Sequence, residues 1–246
     1  MSQVLGIDIG GSGMKAAIVD CDSGETLTDR FRIKTPQPAK PQPMIDVARE
    51  LVSHFEWEGP VGVGFPGVVQ GGFIRTAANL DKDWVGVDAD RLLTEAASCD
   101  VEVVNDADAA GVAEVQFGAG EGVSGVVVLL TIGTGIGSAV FTDGKLVRNT
   151  EFGHLMIDGK AAEERASSRI KKEKDLSEKE WTGRLSTVLQ EVEALVWPDL
   201  FILGGGISKS FDEWGPMLKG VRTKVVPAEM RNEAGIIGAA LAHQRR

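Results

Sequence analysis

Two distant stretches of this sequence share one pattern, in which an apolar run enters a glycine-rich turn and a second apolar run leaves it. The runs are residues 4–9 and 14–19 around Gly-Gly-Ser-Gly at 10–13, and residues 126–132 and 138–142 around Gly-Thr-Gly at 133–135. Short apolar runs that meet at glycine turns predict β-hairpins. Because the pattern occurs twice, we expect two related α/β lobes, each opening with a hairpin that faces a common cleft.

The rest of the chain alternates predicted strands and helices. Further strands are predicted at 60–64, 101–104 and 201–203, and helices at 44–55, 106–117 and 234–242. Residues 161–196 have the pattern of two charged amphipathic helices broken near Asp175, and the proline-rich stretch 34–43 predicts a loop. We therefore expect a smaller lobe from residues 1–105, completed by the C-terminal helix 234–246, and a larger lobe from residues 106–233.

Composition excludes several classes of protein. The chain has 246 residues, with 26 basic against 36 acidic side chains, and its net charge of −10 disfavours nucleic-acid binding. The longest apolar run, residues 126–130, is far shorter than the ~20 residues that span a bilayer. With no signal-peptide pattern at residues 1–10, we expect a cytoplasmic protein. Cys21 and Cys99 lack CxxC spacing, which argues against a disulfide framework or a cysteine-rich zinc site.

The first glycine turn is a candidate phosphate site. Glycines at a hairpin tip let successive backbone N–H groups approach one anion, and Ser12 and Lys15 add a hydroxyl and a charge. Asp8, at the strand end, is a candidate Mg²⁺ ligand acting through water, since Mg²⁺ prefers one or two carboxylates plus phosphate oxygens. The alternative is a tight hairpin whose glycines only satisfy positive φ. The second turn offers a matching anion site, so a polyphosphate-bearing ligand is expected.

Candidate catalytic and sugar-facing residues follow other strands. Asp106 comes directly after a predicted strand and opens a predicted helix, where ligands of open α/β sheets gather. It is a candidate base for a hydroxyl proton, although a helix N-cap is the simpler role unless Asp108 supplies the cap. Glu151 and His154, three residues apart, suit sugar hydroxyls as acceptor and donor. Asn79 is a further candidate, with a turn asparagine as the alternative.

These residues together resemble one family. The segments DIGGSGMK at 8–15, NDADAA at 105–110, LTIGTGIGS at 130–138 and EFGH at 151–154 are similar to motifs of the ROK sugar kinases. The segments TPQP at 35–38, FPGVV at 65–69, NTEFGH at 149–154 and WPDLFILGGGISK at 197–209 resemble the polyphosphate-using glucokinase branch of that family. The likeness covers nearly the whole chain.

The resemblance implies an actin/ribonuclease-H-like α/β fold with two lobes about a central cleft, and a homodimer. It implies transfer of a phosphoryl group from inorganic polyphosphate, and in some members from ATP, to the 6-hydroxyl of glucose, with Mg²⁺ as cofactor. Asp106 would be the base. The sugar-binding residues would be Gly67, Asn79, Asn105, Asp106, Glu151 and His154. The donor phosphates would be bound by Gly10, Gly11, Ser12, Gly13, Lys15, Thr131, Gly133, Thr134, Gly135 and Gly205.

Two departures from the family pattern matter. No cysteine follows His154, so the family's Cys/His zinc cluster is missing and no structural zinc is expected. Met156 stands where polyphosphate-using members commonly have Glu, which leaves the sugar range open. The alternatives are a strictly ATP-dependent hexokinase or glucomannokinase and, with less support, a non-catalytic sugar-sensing protein. Candidates for a basic polyphosphate track are Arg165, Arg169, Lys171, Lys172 and Lys174, although the interspersed Glu163, Glu164 and Glu173 favour a solvated helix face.

Overall fold

A computed structural model describes residues 2–77 and 80–244 of the chain. The described residues form two compact units. Unit 1 comprises the residues up to Ala113 together with those from Glu233 onward, and unit 2 is Glu114–Asn232. The division falls inside a helix, whereas the sequence analysis divided the chain between Asn105 and Asp106, at the start of that helix.

Unit 1 is built on a six-stranded sheet. Its elements are β1 (Gln3–Gly10), β2 (Gly13–Asp20), β3 (Glu25–Thr26), β4 (Phe31–Ile33), α1 (Pro41–His54), β5 (Val61–Phe65), β6 (Val69–Gln70), β7 (Phe73–Ile74), α2 (Ala89–Ala97), β8 (Val101–Asn105) and the first part of α3 (Asp106–Phe117). The sheet order is β3-β2-β1-β5-β8, with β4 also paired to β2. The hairpin β1–β2 is antiparallel, and β1, β5 and β8 are parallel. Every residue of β5 and β8 is buried, as expected for parallel strands covered on both faces.

Unit 2 repeats this topology. Its elements are β9 (Val126–Ile132), β10 (Ile136–Thr142), β11 (Lys145–Val147), β12 (Met156–Ile157), β13 (Lys160–Ala161), α4 (Ala162–Ala166), α5 (Ser168–Glu173), α6 (Glu178–Val196), β14 (Leu200–Gly204), α7 (Phe211–Trp214) and β15 (Lys224–Pro227). The five-stranded sheet has the order β11-β10-β9-β14-β15, again an antiparallel hairpin followed by two parallel strands. The prediction of two related α/β units is confirmed by this correspondence.

The closing helix α8 (Ala234–Gln244) belongs to unit 1 and packs directly on its strands. A Cβ added to Gly6 of β1 would overlap the carbonyl oxygen of Ile236, and one added to Gly62 of β5 would overlap that of Ala239. Glycine in the strands and small residues in the helix therefore let the two backbones touch. This close packing explains the small-residue composition of α8.

One predicted region differs in detail. Residues 161–196 form three helices, because α4 and α5 are separated at Ser167, whose hydroxyl accepts from the N–H of Ile170 and caps α5. The predicted break near Asp175 is confirmed, and Asp175 has φ 47°. Among the described residues no helix combines the length and the apolar character needed to cross a bilayer.

Candidate functional site

The tip of the β1–β2 hairpin is held through its carbonyl oxygens. Gly10 pairs with Gly13, leaving Gly11 and Ser12 as the turn. The Gly10 oxygen accepts from the hydroxyl of Thr35, the Gly11 oxygen from the amide of Gln37 at 3.3 Å, and the Ser12 oxygen from the guanidinium of Arg32 at 2.7 Å. In a planar trans peptide the C=O and the following N–H point in opposite directions. The N–H groups of Gly11 and Ser12 therefore point away from the segment that holds the carbonyls.

The β9–β10 hairpin is held in the same manner. Ile132 pairs with Ile136, and residues 133–135 form the turn. The Ile132 oxygen accepts from the hydroxyl of Ser168 at 3.2 Å, the Gly133 oxygen from the backbone N–H of Arg169 at 3.4 Å, and the Thr134 oxygen from the Arg169 guanidinium at 3.2 Å. In both tips the first of three successive carbonyls accepts from a hydroxyl and the third accepts from an arginine guanidinium. In the second turn the N–H of Gly133 donates to the Gly135 carbonyl at 3.0 Å, so the N–H groups of Thr134 and Gly135, which follow the held carbonyls, are the ones on the opposite face and suited to an anion.

Backbone angle does not explain the glycines of these turns. Left-handed φ occurs at none of the turn glycines 10, 11, 13, 133 and 135, so the alternative that they satisfy positive φ is wrong. A Cβ added to Gly11 or Gly133 would meet nothing within 4 Å, whereas one on Gly13 would overlap the guanidinium of Arg32. Gly205 is different, because its φ is 86° and a Cβ there would overlap the carbonyl of Ile132.

Asp8 and Lys15 form an ion pair beneath the first tip. They face each other in the β1–β2 register, with Lys15 Nζ 3.0 Å from Asp8 Oδ2. Their side chains are 19% exposed for Asp8 and 28% for Lys15, so both charges border solvent. In this structure the Lys15 ammonium is therefore partly neutralised, a pairing that the sequence analysis, which named Lys15 only as a donor-binding residue, did not predict. The other carboxylate oxygen of Asp8 faces Gly235 of α8, where an added Cβ would lie 3.0 Å away.

Asn105, rather than Asp106 or Asp108, caps α3. Its Oδ1 accepts the N–H groups of Ala107 at 2.8 Å and Asp108 at 2.9 Å, the usual N-cap geometry. Its Nδ2 donates to the Gly67 carbonyl at 3.0 Å, which ties the loop after β5 to the end of β8. Two of the predicted sugar-binding residues are thus in contact with each other.

Asp106 is the first residue of α3 and is only partly buried. Its Oδ1 accepts the N–H of the next residue, Ala107, at 2.8 Å. Gly64 of β5 pairs with Asp8, and a Cβ added to it would lie 3.8 Å from the Asp106 Cα. Asp8 and Asp106 therefore stand at the carboxyl ends of β1 and β8, on either side of a residue without a side chain. This is the sheet edge at which ligands of α/β proteins bind.

Glu151 and His154 flank a single 3₁₀ turn in unit 2. His154 Nδ1 lies 3.8 Å from Glu151 Oε2, and the side chains are 56% and 30% exposed respectively. Burial raises the pKa of Glu151 above its ordinary value; the nearby His154 opposes this shift and the carboxylate of Glu163 adds to it. Gly153 is required between them, because a Cβ there would overlap the backbone carbonyl of Ile136 at the start of β10. The turn is thereby fixed against the second hairpin.

Glu163 is a candidate site residue that sequence reasoning missed. It lies in the first turn of α4, with Oε2 3.4 Å from the N–H of Ile136, and a Cβ on Gly135 would overlap this carboxylate oxygen. The sequence shows Glu163 only as one of several charges on an amphipathic helix. Its place beside the hairpin and Glu151 arises from tertiary packing, which local spacing does not reveal.

The remaining predicted residues are distributed as follows. Thr131 pairs with Gly204, next to Gly205, at the end of β9 and β14. Asn79 lies outside the described residues. Of the predicted basic track, Arg169 is engaged with the second hairpin, and Lys171 forms an ion pair with Glu178 and lies over the Trp181 ring at 4.8 Å. Within the described part of the chain no group of three or more His, Cys, Asp or Glu side chains is placed to hold a metal.

The two hairpin tips, the polar edge of the first sheet and the Glu-x-x-His turn are the features that the sequence analysis associated with sugar kinases. The chain belongs to the ROK family, whose model matches residues 4–173. It is 52% identical to the polyphosphate glucokinase of Mycobacterium tuberculosis over 97% of this chain and 90% of that protein.

Solved structures extend the likeness to the whole chain. The inorganic polyphosphate/ATP-glucomannokinase of Arthrobacter sp. strain KM has a TM-score of 0.95 and 48% identity, covering 100% of this chain and 99% of that one. A ROK family glucokinase from Streptomyces griseus, solved with glucose and AMPPNP, has a TM-score of 0.83 and 25% identity over the full length of both chains. The predicted fold class, the α/β fold of actin/ribonuclease-H-like sugar kinases, is confirmed.

Proposed function

We propose that the chain is a glucokinase that transfers a phosphoryl group from inorganic polyphosphate, and also from ATP, to the 6-hydroxyl of glucose. The observation that carries the proposal is the geometry shared by the two hairpin tips. In each, side chains bind the turn carbonyls on one face, so that backbone N–H groups point to the opposite face. Phosphoryl transfer depends mainly on alignment and charge neutralisation, which such fixed amides supply without reorganisation. The relatives named above, a polyphosphate glucokinase and a polyphosphate/ATP-glucomannokinase, support the same reaction.

The donor phosphates are assigned to the two turns. Gly11 and Ser12 of the first tip, and Thr134 and Gly135 of the second, offer N–H and hydroxyl donors, whereas the N–H of Gly133 is bonded to the Gly135 carbonyl. Arg32 and Arg169 add positive potential while they hold the turn carbonyls. Lys15 contributes a shared charge, because Asp8 partly neutralises it.

Asp106 is the proposed base. As the transfer proceeds, the glucose O6 forms a bond to the terminal phosphorus, the bond from that phosphorus to the leaving phosphate oxygen breaks, and Asp106 accepts the O6 proton. The N-terminus of α3 stabilises a carboxylate at this position. Since Asn105 already caps α3, the Asp106 carboxylate is not required as the N-cap.

Glucose is assigned to Glu151, His154 and Glu163 in unit 2 and to Asn105 and the Gly67 loop in unit 1. Carboxylates accept sugar hydroxyls, and an imidazole either donates or accepts according to its tautomer. Met156, at the position where the branch commonly has Glu, is 64% exposed, and its thioether sulfur is only a weak acceptor for a sugar hydroxyl. Comparing glucose with mannose as acceptors measures the consequence.

Mg²⁺ fits Asp8 by its chemistry. One partly exposed carboxylate beside an anion site matches the preference of Mg²⁺ for one or two carboxylates together with phosphate oxygens and water. When bound, the ion neutralises charge on the donor phosphates. A homodimer and a cytoplasmic location also belong to the proposal.

The decisive experiment measures glucose phosphorylation with purified polyphosphate and with ATP, for wild type and Asp106→Asn. We expect the substitution to lower kcat roughly 10²–10⁴-fold with either donor, the usual effect of losing a general base. Asp83→Asn, an exposed aspartate in unit 1, serves as the matched control. Near-normal turnover in Asp106→Asn refutes the assigned base, and activity with ATP alone favours the strictly ATP-dependent alternative.

A further inference from the structure

We propose that unit 2 carries a second phosphate-binding site, which holds the distal part of a linear polyphosphate chain whose reacting end lies at the β9–β10 turn. The inference rests on the proposed function. The site is a cavity of about 250 Å³ against α4, called the α4 cavity below. Its lining residues are Lys160, Glu164, Arg165, Lys174 and Arg184.

The charge of the α4 cavity points to an anion. Four cations and one carboxylate line it, in a chain whose net charge is −10. The carboxylate of Glu164 is engaged, because its Oε2 accepts the backbone N–H of Ala161 at 3.3 Å. Two further acids stand close by: the exposed Asp158 lies 3.3 Å from Arg165, and Glu180 interacts with Arg184. These acids reduce the excess of positive charge without cancelling it.

Arg165 is fixed in place before any ligand arrives. Its side chain is 21% exposed, and Nη1 donates to the carbonyl of Ile157 at 3.0 Å. Its Nε is buried and has no hydrogen-bond partner among the described residues. An arginine that is held rigidly yet keeps unused donor capacity is suited to phosphate oxygens, which accept several such bonds.

The position of the cavity favours a long donor. Glu163 and Arg165 are two residues apart on α4, about 200° around the helix axis, so they project from opposite sides. Glu163 contacts the β9–β10 turn, whereas Arg165 lines the cavity. The two sites are thus separated by about one helix diameter, roughly 10 Å. A linear polyphosphate is long enough to occupy both.

The lining also disfavours a nucleotide. The residues around the α4 cavity are all charged, with no aromatic ring or apolar side chain on which a base would stack. A polymer of identical phosphate groups needs only repeated cationic contacts. The cavity therefore distinguishes polyphosphate from ATP as donor, which the hairpins do not.

The test compares two double variants with the same loss of charge. Lys174→Gln/Arg184→Gln removes two cations from the α4 cavity, and Lys145→Gln/Lys179→Gln removes two exposed lysines that do not line it. For each protein we would measure the Kd of long-chain polyphosphate and of tripolyphosphate by calorimetry, and KM and kcat with long-chain polyphosphate and with ATP. Thermal unfolding checks that each variant folds. If Lys174→Gln/Arg184→Gln does not fold, it is replaced by the single variant Lys160→Gln, at an exposed position of β13.

The cavity pair should weaken long-chain polyphosphate binding and raise its KM roughly tenfold, the effect of losing about one charge-assisted hydrogen bond. Tripolyphosphate binding, the KM for ATP and the control pair should stay within about twofold of wild type. Equal losses in both pairs, or no loss in either, overturn the cavity as a specific site. If wild type binds polyphosphate through the cavity but transfers no phosphoryl group from it, the proposed function fails while the binding site stands.

Discussion

The two hairpins hold their tips alike but differ in the charges beside them. At β1–β2 the carbonyls bond to Thr35 and Arg32, and at β9–β10 to Ser168 and Arg169. The tip of the first has the Lys15–Asp8 ion pair beneath it, whereas the second is bordered by the carboxylates of Glu151 and Glu163. The backbone device is therefore common to both units, and the neighbouring side chains distinguish them.

Under the proposed function, this difference separates the roles of the two hairpins toward the phosphate donor and the sugar. An anion is favoured where cations surround outward-facing amides, and hydroxyl groups are favoured where carboxylates accept hydrogen bonds. The first hairpin is accordingly suited to the donor alone. The second is suited to the donor on its turn and to the sugar on its carboxylate side.

Among substitutions that test the difference between the two hairpins, the largest effect is expected at Glu151, on the KM for glucose. Because burial raises its pKa, this carboxylate takes up a proton at a higher pH than an ordinary glutamate as the solution is acidified. Protonation removes an acceptor, so we expect the KM for glucose to rise as pH falls. The rise should begin at a pH above that at which an ordinary glutamate, with a pKa of about 4.3, takes up its proton. Glu151→Gln should raise the KM for glucose roughly tenfold at neutral pH and flatten this dependence.

The control for Glu151 is Glu173→Gln, an exposed acid on α5, measured over the same pH series. It should leave both the KM and its pH dependence as in wild type. An unchanged pH profile in Glu151→Gln would show that another group is responsible and that the acidic character of the second hairpin does not involve this residue.

A smaller effect tests whether the two tips are equivalent. Thr35→Val and Ser168→Ala each delete one hydroxyl that holds a turn carbonyl. Each should lower the free energy of unfolding by about 1 kcal/mol and raise the KM for the phosphate donor a few-fold, since the freed peptide plane is able to rotate. Thr187→Val, at a partly exposed position of α6, is the control and should change stability by less than about 0.5 kcal/mol. A donor effect in only one variant would mean that only one hairpin binds phosphate.

The repeated hairpins and the α/β class could be predicted from sequence because apolar periodicity and glycine turns are local features. The N-terminus of α3 shows the limit of such reasoning. The sequence analysis considered Asp106 or Asp108 as the cap, whereas the structure has Asn105 in that role, because the choice depends on side-chain direction. Glu163 was beyond local pattern, because tertiary packing brings it to the β9–β10 turn. Of the cations of the α4 cavity, the predicted basic track included Arg165 and Lys174 but not Lys160 and Arg184, which lie on β13 and α6.

The smallest expected effects on stability are those of substituting the turn glycines. These variants distinguish glycines that leave room for phosphate from glycines that the hairpin itself requires. Gly11→Ala and Gly133→Ala place a methyl group where nothing lies within 4 Å, and neither residue has left-handed φ. Stability should therefore change by less than about 0.5 kcal/mol, or increase slightly as the unfolded chain loses freedom. Gly205→Ala, at φ 86° and against the Ile132 carbonyl, is the contrasting variant and should lose more than about 1 kcal/mol. If the open space is where phosphate approaches, the first two variants raise the donor KM while remaining stable. A loss of stability without a change in KM would instead make these glycines a requirement of the hairpin itself.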